Sequence, residues 1–320
     1  MENFPDISEH LHIHEGFCHP DWYAVDEVIY ASVPDSQKNA AWEQAARSWL
    51  SLNAKHLGPD YQLHTTENFM LLTAAPMRVA KDACHSCERA LKEIMRLMEG
   101  VAEDEGYGKH VVIMFSKVED YYRYISHYYP DGNHATSSGL CIHSGYNHLV
   151  FPSEDYVDYR AVTVHELTHV CLSHLPIPTW INEALAMTME EVVCGMDLLL
   201  LDRERYEEHV AHWNADTIQE FWSGMSWARA DIGFTLGYSL GQVLWRKIEK
   251  DLSASREEIV RFVRHATYED GGEAAFQSVF ELSLGALVED FLGDGDWRPK
   301  PDEWPQEPEE DASADSSLGQ

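Results

Sequence analysis

Basic residues are scarce in this chain. Lys and Arg number 23 against 55 Asp and Glu in 320 residues, a formal net charge of −32. A surface this acidic repels the phosphate backbone of a nucleic acid and the anionic face of a membrane, so neither is expected as a partner, and cationic partners are favoured. Also lacking is any apolar run near the ~18 residues a membrane-crossing helix requires. The segment Met1-Glu2-Asn3-Phe4-Pro5-Asp6 has no basic stretch leading into an apolar one, so no secretory signal is expected. Six cysteines do not make a disulfide framework in a chain of this size. Together these point to a cytoplasmic protein with reduced thiols. The 44% hydrophobic content is that of a globular chain with a proper core, in one large or two ordinary domains.

What is present is an H-E-x-x-H string, His165-Glu166-Leu167-Thr168-His169, inside the apolar segment from Ala161 to Leu172. On a helix, residues i and i+4 share a face, so His165 and His169 can offer two imidazole nitrogens to one zinc ion. Glu166 then sits beside the open coordination position, where it can take a proton from a metal-bound water. With 18 histidines the chain can carry such a string by accident. The periodicity argues otherwise: Val164, Leu167, Val170 and Cys171 fall on the side opposite the histidines, as a buried metal-bearing helix requires.

Ahead of the motif, Glu9-His10-Leu11-His12-Ile13-His14 alternates with period two, so an extended segment would align three imidazoles as a solvated strand face or a second metal site. Tyr23 to Ala31 reads as a strand and Asp35 to Leu57 as a helix that stops at Gly58-Pro59. Tyr61 to Thr73 reads as extended, Cys84 to Glu99 as helix, His110 to Phe115 as strand and Glu119 to Tyr128 as helix. Cys84 and Cys87 form a C-x-x-C, but they open an amphipathic helix and no second pair follows at zinc-finger spacing. Ser137 to Ile142 and Asn147 to Phe151 read as short strands joined through Ser144-Gly145-Tyr146, with a loop from Pro152 to Asp158 before the motif helix. A strand edge beside a metal helix can bind an extended peptide by strand addition.

A catalytic zinc usually keeps three protein ligands and one exchangeable position. The H-E-x-x-H-x-x-G-x-x-H class is excluded, because Leu172 and Leu175 stand at its glycine and third-histidine positions. Pro176 and Pro178 end the motif helix, and Trp180-Ile181-Asn182-Glu183-Ala184-Leu185-Ala186 begins another in which Glu183 lies one turn in. If the chain reverses there, Glu183 points back at the histidines. Its other reading is a first-turn glutamate favoured by the helix dipole.

The run His165-Glu166-Leu167-Thr168-His169-Val170, followed by Pro178-Thr179-Trp180-Ile181-Asn182-Glu183-Ala184-Leu185-Ala186, resembles the gluzincin metallopeptidases. It is most similar to the peptidase MA-like group, where H-E-L-T-H-V precedes P-x-W-x-x-E-G-L-A. The resemblance is specific over residues 161 to 190 and weaker from about 61 to 293. It implies an α+β zincin-like fold, with a mixed sheet and active-site helix followed by a mainly helical C-terminal subdomain. It also implies Zn2+ held by His165, His169 and Glu183, with Glu166 as general base acting on a peptide or protein substrate. Ala184 stands where the pattern has glycine, and the gap between His169 and Glu183 is shorter than in the best-known gluzincins. Related enzymes carry a downstream helical tyrosine whose hydroxyl stabilises the oxyanion, and Tyr238, in Gly233 to Leu244, is the matching position; a core tyrosine is the other reading.

Beyond the motif, Asp216 is placed to cap a short helix through Trp222, and Ser255 to His265, Gly272 to Glu281 and Ser283 to Leu292 read as helices, with Ser283 as an N-cap. After Gly293 there are four prolines, nine acidic and two basic residues, the composition of a disordered tail. The expected division is a histidine-rich arm (1–20), an α/β subdomain carrying both ligand helices (21–190), a helical subdomain (191–293) and an acidic tail (294–320). The function expected is a zinc-dependent metallopeptidase. A zinc-stabilised binding protein without turnover, or an acidic interaction protein, are the alternatives. Ligand type alone does not separate zinc from cobalt or manganese.

Overall fold

The computed structural model describes residues 4–129, 139–153 and 158–304. The chain divides into two units, Met1–Leu175 with Asn182–Leu198, and Pro176–Ile181 with Leu199–Gln320.

The first unit opens with an antiparallel hairpin, β1 (Leu11–His14) and β2 (Phe17–Pro20). Its two-residue turn has positive φ at both Glu15 (50°) and Gly16 (88°), the backbone that matches strand twist. Gly16 is required there twice over, because a Cβ would lie 2.1 Å from the His56 ring. His10 belongs to a 3₁₀ turn, Ser8–His10, so only His12 and His14 of the alternating histidines reach the strand. Helix α1 (Trp22–Ser32) follows, where a strand was expected. The β-branched and aromatic residues suggested a strand, but Trp22, Val25 and Ile29 recur at helical spacing and all are buried. Asp21 caps the helix by accepting from the Ala24 amide at 3.1 Å.

Helix α2 (Asp35–Leu57) buries Ala41, Trp42, Ala45, Ala46, Trp49 and Leu50. The sheet is then laid down by β3 (Gln62–Thr65), β4 (Phe69–Thr73), β5 (His110–Phe115), β6 (Leu140–Ile142) and β7 (His148–Pro152), in the spatial order β3-β4-β5-β7-β6. Central pairs β4–β5 and β5–β7 are parallel, and the outer pairs β3–β4 and β6–β7 antiparallel. The sheet is therefore mixed, in a mixed α/β protein. Strands β4 and β7 are buried throughout and β5 from Val111 onward, which is why they read as unbroken apolar runs. Met70, Leu72, Val111, Ile113, Phe115 and Val150 join α2 and α4 (Val118–Ile125) in one core. Alternate residues such as Leu71, Val112, Leu149 and Phe151 are buried on the other face. Helices α3 (Met77–Leu97) and α5 (Tyr159–Leu172) pack together there. Residues 137–138 of the expected first strand, and 154–157 of the loop before α5, lie outside the described residues. No helix is long and apolar enough to cross a membrane, among the described residues.

Helix α6 (Thr179–Cys194) begins among the residues of the second unit and continues in the first. In the second unit, α7 (Arg203–His212), α8 (Thr217–Trp222), α9 (Ile232–Arg246), α10 (Arg256–His265), α11 (Glu273–Phe280) and α12 (Leu284–Leu292) bury an aromatic core. Trp180 packs against Phe221, Trp222 and Phe262, and its indole donates to Gly271 O at 2.9 Å. Ser255 and Glu258 form a capping box on α10, and Ser283 caps α12 through the Ala286 amide. Residues 294–304, expected from composition to belong to a disordered tail, are held against the helices of the second unit. Buried Gln219 donates to Arg298 O at 2.8 Å and accepts from Lys300 N at 2.8 Å and Trp304 Nε1 at 3.0 Å. Trp222 Nε1 donates to Trp297 O at 2.9 Å. Residues 294–304 are thus held in place by backbone hydrogen bonds that a residue count does not register, and 305–320 lie outside the described residues.

Candidate metal centre

Asp158 opens α5 by accepting from the Arg160 amide at 3.0 Å, and the helix buries Val164, Leu167, Val170 and Cys171, the face expected from the sequence. Its other side carries His165 and His169, whose ring centroids lie 4.9 Å apart at 81°. After the turn, α6 brings Glu183 to them: its Oε2 is 3.3 Å from His165 Nε2 and 3.6 Å from His169 Nε2. These three side chains form the one group of three or more His, Cys, Asp or Glu donors that converges within 4.8 Å among the described residues.

The spacing fits a metal better than direct hydrogen bonds. Nitrogen and oxygen ligands about 2.0–2.1 Å from a tetrahedral ion stand roughly 3.3–3.4 Å from one another, whereas N–H···O bonds cluster near 2.9 Å. Both imidazoles are oriented by their remaining nitrogen. His165 Nδ1 donates to Glu190 Oε2 at 3.2 Å and His169 Nδ1 to Asn182 Oδ1 at 3.0 Å. Each Nε2 is thereby left to offer a lone pair toward Glu183, the tautomer that metal-bound histidines adopt. Burial works against charge on His165, yet the carboxylates of Glu183 and Glu190 outweigh it and push its pKa up to about 10, so the pocket favours positive charge at this point. Two histidines and a carboxylate, with acceptors behind both rings, are a donor set that suits a divalent ion.

Glu166 does not join the cluster. Its Oε2 accepts the Cys141 backbone N–H at 2.8 Å, tying the middle of edge strand β6 to α5. Burial pushes its carboxyl above the usual range, against the opposing pull of His165 and His169. The Cys141 amide that a guest strand would use is occupied by this bond.

No family model matches this chain, and no curated protein matches it in sequence. The local geometry therefore carries the functional argument.

Tyr238, the expected oxyanion donor, lies on α9 in the second unit, half-buried, with its ring 5.1 Å from Phe234 and 5.9 Å from Trp227. The structure brings His165, His169 and Glu183 together within the first unit. Three participants went unread in the sequence. Glu190 carried a signal, since it follows Glu183 by seven residues and so shares its helix face. Asn182, next to the ligand, gave a weaker one, and the Cys141 amide none.

The remaining histidine and cysteine motifs have structural explanations. Cys84 and Cys87 are buried free thiols, and burial pushes the Cys87 thiol up to about 12, far from a reactive thiolate. The rings of His19 and His127 stack at 4.0 Å, but among the described residues the histidines near the β1–β2 hairpin form no converging set of three metal donors. In the second unit His209 Nδ1 accepts from Trp213 Nε1 at 2.9 Å, so its Nε2 carries the proton and donates to Ser239 Oγ at 2.9 Å. That direction is opposite to the one that activates a serine nucleophile.

Proposed function

We propose that this protein is a zinc-dependent metallopeptidase of zincin-like fold. The observation that carries the reading is the convergence of His165 Nε2, His169 Nε2 and Glu183 Oε2, with both histidines backed by acceptors and a separate half-buried glutamate beside them. His165, His169 and Glu183 would hold the ion, and zinc suits two imidazoles and a carboxylate. When bound, such an ion supplies Lewis acidity, polarising an amide carbonyl and acidifying a water.

The protein's own groups supply the proton traffic. With Glu166 Oε2 engaged by the Cys141 amide, Oε1 is the oxygen that takes a proton from the attacking water and passes it to the leaving amine. The same hydrogen bond fixes the carboxylate's direction, so it need not be oriented during the reaction.

The test is metal analysis of the purified protein together with a peptide-library assay of the parent and Glu166→Gln. The variant should retain zinc and lose hydrolysis by a factor of about 10³ or more. Equal hydrolysis by the two would remove Glu166 from the mechanism. Tightly bound zinc with no hydrolysis by the parent would favour the zinc-stabilised binding protein instead.

A further inference from the structure

On the sheet face covered by α2 and α4, the first unit holds a second group of histidines that the metal centre does not use. The hairpin brings His14 of β1 and His19 of β2 against His127, which follows the end of α4. The His19 and His127 rings stack with centroids 4.0 Å apart and planes 22° from parallel. His14 lies 6.2 Å from the first ring and 5.5 Å from the second. His12 is the register partner of His19 across the hairpin.

One chain of hydrogen bonds fixes the protons in this group. The Tyr146 carbonyl can only accept, so His148 Nδ1 donates to it at 2.9 Å and His148 Nε2 accepts from Tyr124 Oη at 2.8 Å. Tyr124 Oη in turn accepts from Tyr128 Oη at 3.4 Å, and Tyr128 Oη from His19 Nδ1 at 3.2 Å. His19 Nε2 is left as a bare lone pair. It is buried without a hydrogen-bond partner among the described residues, on a residue only 1% exposed. A further proton on His19 can go nowhere else.

Its surroundings offer no charge to balance that proton. Among the described residues, the titratable groups that act on His19 are other histidines: His127 beyond α4, His148 on β7 and His14 on β1. The remaining neighbours are the phenols of Tyr124 and Tyr128, while α2 contributes Asn53 and Trp49, which hold the Cys18 backbone. The nearby carboxylates are committed elsewhere, Glu15 and Asp120 to Arg123 and Asp21 to the cap of α1. Burial and then the neighbouring histidines hold the His19 pKa down to about 2, and the same causes lower that of His127.

We infer that the stacked His19 and His127 form an acid-operated latch, whose protonation releases the β1–β2 hairpin from α2 and α4 while the sheet stays folded. A charged imidazole is poorly tolerated against a second ring in a buried site without counter-charge, whereas in the released hairpin both rings are solvated. The closed form is therefore favoured above about pH 6.5 and loses ground as pH falls. Release would uncover Phe17 and Trp49, both fully buried in the closed form. The device does not depend on the peptidase reading.

Hydrogen exchange of the full chain, read by mass spectrometry and corrected for the intrinsic effect of pH on exchange, tests it. Between pH 7.5 and 5, opening should rise about 30-fold if one histidine stays neutral in the closed hairpin and titrates normally once released, and about 10³-fold if two do. Peptides covering residues 11–20 should lose protection by a factor in that range, and at pH 5 they should open at least about 10-fold more often than those of β4 and β5. His19→Phe keeps a ring in the stack and cannot titrate, so it should cut the loss about tenfold or more. A loss below about threefold in the parent, the same loss in His19→Phe, or hairpin and sheet opening together at pH 5 would overturn the latch. Should that variant misfold, nitrogen NMR of the parent's imidazoles decides the question. His19 should stay neutral, with its proton on Nδ1, down to the pH at which the hairpin loses protection; a ring that protonates near 6.5 while the hairpin remains protected would overturn the assignment.

Discussion

Asn182 Oδ1 accepts a hydrogen bond from His169 Nδ1 at 3.0 Å, from the position immediately before Glu183. One turn of α6 therefore supplies both a candidate ligand and the group that orients another. Replacing Asn182 with Ala should weaken zinc affinity about 10- to 100-fold, measured by competition with a chromogenic chelator, while Asn182→Asp, which keeps an acceptor, should lose much less. Unchanged affinity in the alanine variant would mean that the bond does not orient the ring for metal.

Removal of the ion should be visible in stability. Two carboxylates, Glu183 and Glu190, meet the His165 imidazole, and a dication would balance their charge only in the folded chain. Zinc at a hundredfold excess over its Kd should stabilise by about 2.7 kcal/mol, raising Tm by several degrees over the protein in chelator. His165→Ala should abolish that shift. Identical melting with zinc and with chelator would eliminate the cluster as a metal site.

Much of this centre was legible because helix geometry is local. The spacing from His165 to His169 and the opposite apolar face of α5 follow from 3.6 residues per turn and nothing else. Glu183 needed one further inference, that the chain reverses at Pro176 and Pro178. What stayed hidden depends on contacts between elements far apart in sequence. The Cys141 amide reaches Glu166 only because β6 is the sheet edge beside α5, an adjacency no spacing encodes. Helix α1 departs from its local sequence pattern for a different reason. Tyr23 to Ala31 is rich in β-forming residues, but the Trp22, Val25, Ile29 period and the Asp21 cap override their propensity. The segment 294–304 was assigned by composition, which does not register a buried Gln219 waiting for backbone partners.

That glutamine gives a test of the second unit. Gln219→Ala would leave Arg298 O, Lys300 N and the Trp304 indole without the partner each has now. At about 0.5–1.5 kcal/mol for each hydrogen bond, the loss should be roughly 2–3 kcal/mol in urea unfolding. Limited proteolysis should then cut between residues 294 and 304 sooner than in the parent. A variant as stable and as resistant as the parent would show that the segment is not held by Gln219.

Acid sensitivity should come partly from His148, on buried strand β7. Its Nδ1 donates to Tyr146 O at 2.9 Å, and its Nε2 therefore accepts from Tyr124 Oη at 2.8 Å, which fixes the neutral ring. Burial lowers its pKa from 6.5 to about 4, against the opposing effect of the Tyr146 carbonyl. Between those values the unfolded chain binds the proton and the folded chain resists it, so stability rises with pH across the window. The contribution is fully present above pH 6.5 and is lost as pH falls toward 4, amounting to roughly 3 kcal/mol at the full shift. Urea midpoints of the parent should drop between pH 7 and 4, and the pH slope should be smaller in His148→Gln, whatever that substitution costs at pH 7. Parallel slopes for parent and variant would assign the acid sensitivity to other groups, with His19 and His209, both held neutral by burial, the next to examine.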